Sequence, residues 1–290
     1  MDSGRVVTAA AAGPVVVIGA TGQQGGAALT ALLDAGVPVR AAVRDIAAPK
    51  ALDAAHRGAD VVVADLGSVE SLQRLFDGAS AAFAMTTFSG PAGIEGEVEH
   101  GRTLAEAASK ADLPFMVYSS VGGVERGSGV PHFESKYRIE KFLVDATPVA
   151  FVRPTFFMEN LLSMVQRTEE AAVLSMPLPK DIALQMVSVR TIGSVVAAFL
   201  IRHPAPGSAV EIASDELTGE QMAAKIAERF NIATEYQEIP LSALADDADQ
   251  SAMWQWFTRL PAYQADFTRT QELSGYDDDL STWLARQQLD

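Results

Sequence analysis

The stretch Val15-Val16-Val17-Ile18-Gly19-Ala20-Thr21-Gly22-Gln23-Gln24-Gly25-Gly26 decides the fold. Four apolar, mostly β-branched residues read as a buried strand. Glycines at 19, 22 and 25 form a G-x-x-G-x-x-G turn, and an Ala/Leu-rich segment over 27–35, closed by Gly36, reads as a helix. Strand, tight turn and helix in that order present a helix N-terminus to a pyrophosphate. Free N–H groups and the positive end of the helix dipole meet the anion, and missing Cβ atoms let it come close. Glycine triplets alone are weak evidence, but the flanking strand and helix that the motif requires are both present. The alternative is a purely structural glycine turn.

Working outward, strand and helix signals alternate through the first half. Strands are expected at 37–43, 61–63, 81–85, 115–118 and 149–152, and helices at 69–76 (capped by Ser68), 94–110 and 133–144. This beat implies parallel βαβ units, hence an α/β fold with a Rossmann-type doubly wound parallel sheet. After Arg153-Pro154 the beat is lost. An irregular Met/Phe/Pro-rich stretch leads to a helix near 192–201, a strand at 209–213, a helix at 219–230 and a helical tail carrying Trp254, Trp256, Phe257 and Trp283. The expected organisation is a flexible N-terminal extension over 1–13 and a dinucleotide-binding domain over 14–153. A smaller, mostly helical substrate-side region over 154–290 interleaves with it.

The chain has 290 residues, 48% hydrophobic and 20% charged, as suits a globule with a large core. A formal net charge of −15 argues against a nucleic-acid footprint. No apolar run approaches the roughly 20 residues that span a bilayer. Cysteine is absent, which removes disulfides and thiol chemistry and fits a cytoplasmic setting. The four histidines are scattered without zinc-type spacing, so no metal site is expected.

Strand ends are where ligands bind in this architecture. Arg44 ends the second strand, where NAD-binding proteins carry an acidic residue for the ribose 2′-hydroxyl. An arginine there suits a 2′-phosphate, so NADP(H) is favoured over NAD(H). Asp45 follows, either as cap of the next helix or as a ribose ligand. Asp65 ends the third strand, as an adenine contact or a capping aspartate. Thr86-Thr87-Phe88 follow the fourth strand and could line the dinucleotide. Ser119-Ser120 end the fifth, where strand-end hydrogen bonding is one role; Ser120 is also a candidate for the substrate pocket. Phe156, Phe157, Met158, Met164, Trp254 and Trp256 form an apolar set, either core or a wall for a hydrophobic substrate, aromatic ones included.

The opening Gly-Ala-Thr-Gly-Gln-Gln-Gly-Gly, the segment Pro131-His132-Phe133-Glu134-Ser135-Lys136, and the segment Arg153-Pro154-Thr155-Phe156-Phe157-Met158-Glu159-Asn160-Leu161 resemble the NmrA-like family. That family is an atypical branch of the short-chain dehydrogenase/reductases. The resemblance implies that Gly19, Ala20, Thr21, Gly22, Gln23 and Gln24, with Gly25, wrap the pyrophosphate. It puts Arg44 at the adenosine phosphate, Asp65 and Leu66 at the adenine, and Thr86, Thr87 and Phe88 along the middle of the cofactor. Lys136 would hold the nicotinamide ribose, and Phe157, Met158, Glu159 and Asn160 would border the nicotinamide. The alternative for Lys136 is a surface pair with Glu140 at i+4.

Typical members of the wider superfamily use Tyr-x-x-x-Lys; here His132 stands four before Lys136. One helical turn puts both on one face, and histidine exchanges protons near neutral pH. Lys136 and His132 are therefore the candidate catalytic residues, with a structural or substrate-contact role as the alternative for His132. Two functions follow. One is NAD(P)H-dependent reduction of a hydrophobic carbonyl, quinone, imine or conjugated double bond. The other is a non-catalytic NADP(H) sensor acting through a protein partner.

Overall fold

The computed structural model describes residues 13–289. The expected N-terminal extension therefore lies outside the described residues, apart from Gly13. Strands β1 (Val15–Ile18), β2 (Val39–Val43), β3 (Asp60–Val63), β4 (Ala81–Ala84), β5 (Met116–Ser119) and β6 (Val149–Pro154) alternate with helices. These are α1 (Gln23–Asp34), α2 (Pro49–His56), α3 (Val69–Phe76), α4 (Gly93–Lys110) and α5 (Pro131–Ala146). The second half adds β7 (Phe156–Phe157), β8 (Val165–Arg167), β9 (Ala171–Met176), β10 (Ala183–Val187), α6 (Val189–Arg202), β11 (Ala209–Ile212), β12 (Asp215–Thr218), α7 (Gly219–Phe230) and β13 (Ala233–Glu238). It ends in α8 (Ala248–Phe257), α9 (Phe267–Ser274) and α10 (Leu280–Leu284).

The main sheet has seven parallel strands in the order β11-β6-β5-β4-β1-β2-β3. It is the Rossmann-type doubly wound sheet that the strand–helix beat implies. Strand residues alternate between its two faces, so each face has its own core. Val15, Val17, Ala41, Phe83 and Val117 pack with α1 and α6 on one face. Val16, Ile18, Ala82, Met116 and Tyr118 pack with α3, α4 and α5 on the other. The order of connection reverses between β1 and β4, and ligands bind outside the carboxyl ends of the strands at such a switch point.

Local chemistry explains the element ends. Ser68 accepts a hydrogen bond from Ser71 N and starts α3, as expected. Thr218 and Gln221 form a reciprocal capping box on α7. Helix α2, the helix expected after Asp45 without stated bounds, has Ala48 as its N-cap, without a side-chain cap, followed by Pro49. Asp45 does not cap it; its Oδ1 accepts from Ala47 N in the preceding turn.

The stretch after Pro154 is more ordered than its composition suggests. Helices dominate it, but two three-stranded sheets, β12-β10-β7 and β13-β9-β8, organise a third core around Trp254, Trp256, Phe257 and Trp283. Two of its elements return to the main sheet. β11 extends the β6 edge. α6 packs so closely on α1 that a Cβ on Gly193 would lie 2.5 Å from Ala27 C.

Candidate active site

The glycine turn lies between β1 and α1. Gly19 adopts a left-handed φ of +71°, which favours glycine, and its carbonyl accepts from Gly22 N at 2.9 Å. A Cβ on Gly25 would sit 2.2 Å from Gly19 O. The third glycine thus lets the turn fold against its own helix, a tighter requirement than ligand access alone. The α1 N-cap is Gly22, without a side-chain hydrogen bond, so no side chain blocks the first N–H groups. Ala20 is buried; Thr21 and Gln24 are half-buried, and Gln23 is exposed. Ser119 Oγ donates to Gln24 Oε1 and ties the end of β5 to this helix start.

Beside the turn, Arg44 is exposed at the end of β2 and has no hydrogen bond or ion pair among the described residues. Asp65 is exposed at the end of β3. Its carboxylate accepts from Gly67 N at 2.9 Å, and its own N–H donates to Ser71 Oγ at 3.1 Å. Leu66 is half-buried against the core under α3. Thr86 is buried after β4, Thr87 exposed and Phe88 half-buried.

Lys136 lies near the start of α5. Its Nζ meets Glu97 Oε1 at 3.0 Å, the Thr86 carbonyl at 2.6 Å and the Tyr118 hydroxyl at 3.4 Å. Thr86 Oγ1 donates to Glu97 at 3.1 Å and lies 2.7 Å from Tyr118 Oη. Ser135 Oγ donates to the second Glu97 oxygen. Burial alone would lower the Lys136 pKa, but the Tyr118 and Glu97 oxygens outweigh it and raise it, so the amine stays an ammonium. Burial raises the Tyr118 pKa, so Tyr118 stays a neutral phenol. The i+4 pair with Glu140 does not form, because Glu140 is held by Arg153 at 2.7 Å.

Helix packing sets this network. Gly101 on α4 leaves room for Ile139 on α5, whose atoms would lie 2.4–2.9 Å from an added Cβ. One turn earlier on each helix stand Glu97 and Ser135, brought within hydrogen-bond reach by that close approach. The sequence reading missed Glu97; the one signal for it is its place on the buried stripe of α4 with Gly101, Leu104 and Ala108.

His132 lies in the first turn of α5, one turn before Lys136 and just after Pro131. Its Nδ1 is 2.7 Å from Asp249 Oδ2, and its backbone N–H donates to Asp249 Oδ1 at 2.9 Å. The ring stacks on Phe88, with centroids 4.8 Å apart and planes 22° apart. Burial would raise the Asp249 pKa, but the His132 contacts outweigh this and hold the carboxyl below its usual range. Nothing in the sequence links Asp249 to His132, since the contact spans 117 positions.

The remaining candidates sit deeper. Phe156, Trp254 and Trp256 are 6%, 2% and 5% exposed and pack with Phe257 in the third core. Met158 is fully buried, Phe157 half-buried against the α1–α6 core, and Asn160 exposed. Glu159 accepts from Val189 N at the start of α6 and from Trp283 Nε1, while burial pushes its pKa up. Ser120 Oγ is buried without a hydrogen-bond partner.

The model of the NmrA-like family matches residues 12–275. The chain belongs to the NmrA-like family. It is 26% identical over 232 residues to an NAD(P)H azoreductase of Xenophilus azovorans, covering 78% of this chain and 77% of that protein. The fold matches NmrA, a negative transcriptional regulator solved in complex with NADP, with a TM-score of 0.80 at 19% identity over 95% of each chain. It also matches an NADPH-dependent quinone oxidoreductase from Escherichia coli complexed with NADPH. There the TM-score is 0.78 at 20% identity, over 93% of this chain and 98% of that one. The same fold thus occurs in a regulator and in a reductase, and by itself it assigns neither role. No helix among the described residues is long and apolar enough to cross a membrane.

Proposed function

We propose that the protein is an NAD(P)H-dependent oxidoreductase acting on a small hydrophobic acceptor: a carbonyl, quinone, imine or conjugated double bond. The observation that carries the reading is the placement of Lys136. A buried ammonium is fixed by Glu97, Thr86 and Tyr118 at the carboxyl edge of the sheet whose β1–α1 turn is open to an anion. The turn fits a dinucleotide: Gly25 has no space for a Cβ, and no side chain caps α1. The names of the azoreductase and of the quinone oxidoreductase support the same class.

When bound, the dinucleotide supplies hydride. The chain's residues do the rest. Residues 19–25 hold the pyrophosphate and Lys136 orients the nicotinamide ribose. Asp65 and Leu66 border the adenine, Thr86 to Phe88 the middle of the cofactor, and Phe157 to Asn160 the nicotinamide side. Ser120 Oγ, buried and unpaired, offers a hydrogen bond that a polar substrate atom would complete. Arg44 favours NADP(H) through the 2′-phosphate. Arg44→Ala should weaken NADPH binding by about ten- to a hundredfold and leave NADH nearly unchanged. Equal losses for both would remove the 2′-phosphate assignment.

The test is NADPH oxidation followed by absorbance across quinones, enones, imines and azo dyes. Turnover that falls in Lys136→Ala supports the reductase. Tight NADPH binding without turnover on any acceptor favours a second reading, a redox sensor acting through a protein partner. The absence of the usual tyrosine before Lys136 favours that reading.

A further inference from the structure

We infer that Asp249 is a positioning residue that makes His132 the proton donor of the reaction. The inference rests on the reductase reading above and adds to it a specific atom, His132 Nε2. Asp249 lies in the first turn of α8, far along the chain, yet one carboxylate holds both the His132 ring and its backbone. Its Oδ2 faces Nδ1 at 2.7 Å, so Nδ1 carries its hydrogen toward Asp249. The other ring nitrogen, Nε2, makes no hydrogen bond among the described residues, and the side chain keeps 13% of its surface exposed. Phe88 stacks on the ring and fixes its plane.

The loop after β4 meets both residues. Thr86 receives the Lys136 ammonium, and Phe88, two residues on, lies against His132. One short segment after β4 therefore touches both residues, which stand one turn apart on the same face of α5. Asp249 also does what α5 lacks locally: the helix has no side-chain cap of its own, and His132 N–H is one of its unpaired donors. Capping alone would need only the oxygen that meets the backbone N–H. The second oxygen, on Nδ1, fixes the tautomer.

The acceptor is taken up as a carbonyl. Hydride from the bound dinucleotide forms the new C–H bond, so the dihydronicotinamide is oxidised and the carbonyl carbon reduced. The C=O π pair moves to oxygen and takes the proton from protonated His132. The Nε2–H bond breaks, its electron pair stays on Nε2, and the ring is left neutral with its hydrogen on Nδ1 toward Asp249. Water returns a proton to Nε2.

The experiment compares wild type with Asp249→Asn and His132→Gln, using steady-state kinetics with NADPH and the best quinone or carbonyl acceptor. The second readout is the ¹⁵N spectrum of the cofactor-free protein with labelled histidine. His132→Gln should lower kcat by about a hundredfold, the usual scale for a lost general acid. Asp249→Asn should lower kcat by about tenfold or more while KM for NADPH stays within about twofold, as for loss of a tautomer-fixing partner. In the spectrum, neutral His132 should show its hydrogen on Nδ1 in wild type and a mixture of tautomers in Asp249→Asn. Wild-type turnover with kcat unchanged in both variants overturns this inference and leaves the reductase reading standing. So does an Nε2–H tautomer in wild type. A wild type that binds NADPH and reduces none of the acceptors overturns both.

Discussion

A buried lysine is stable only where its charge is answered, and Lys136 is answered by Glu97, which is completely buried. Removing one partner leaves the other unpaired in a low-dielectric site. Glu97→Gln keeps the shape but removes the charge, so it should cost about 3–5 kcal/mol of folding stability. Lys136→Met should cost a comparable amount. The double variant should be more stable than either single one, because it leaves no isolated charge; urea denaturation of all four proteins measures this. Losses that simply add would show that the pair is not coupled. Lys136 was legible in the sequence because its segment carries a resemblance. Its partners were not, because Glu97 lies on another helix and Tyr118 on a strand. Asp249 was invisible for the same reason: its role comes from where α8 lands against α5.

At the scale of elements, the helix starts that were legible carry their own chemistry. Ser68 begins α3 at the expected residue. α2 has no such signal, and β7 is a two-residue strand whose pairing with β10 is a tertiary decision. Close approaches were half legible. The glycine turn was read as room for a ligand, whereas Gly25 first makes room for the Gly19 carbonyl. Gly193 is the counterpart on α6. An added Cβ would meet Ala27 C, O and Cβ at 2.5–2.7 Å, so α6 and α1 would have to separate. Gly193→Ala should destabilise by about 1–3 kcal/mol from overpacking. The higher helix propensity of alanine, about 1 kcal/mol, offsets part of this. Because α1 begins at the turn proposed to hold the pyrophosphate, the variant should also bind NADPH more weakly by titration calorimetry. Unchanged stability and affinity would show that the helices can part without moving that turn.

For the molecule as a whole, the change in composition after Pro154 suggests two parts, but the hydrogen bonds run across it. β11 pairs with β6 from Phe151 to Pro154, and α6 covers the face of the sheet that α1 covers. The tail is fastened back as well. Trp283 Nε1 donates to Glu159, and Asp278, fully buried at its side chain, accepts from Ser188 and pairs with Arg286 at 2.6 Å. The sheet therefore cannot lose the second half without losing an edge strand and a covering helix. Unfolding should be one cooperative transition despite the length of the chain. The probes to test this are built in: all three tryptophans, 254, 256 and 283, lie in the second half. Their fluorescence reports that half, whereas far-ultraviolet circular dichroism reports every helix. The two melting curves should coincide, and Asp278→Ala should shift both together to lower temperature. Fluorescence that melts ahead of circular dichroism, in wild type or in Asp278→Ala, would show that the second half comes away while the sheet stays folded. The β11–β6 and α6–α1 contacts would then not bind the halves into one unit.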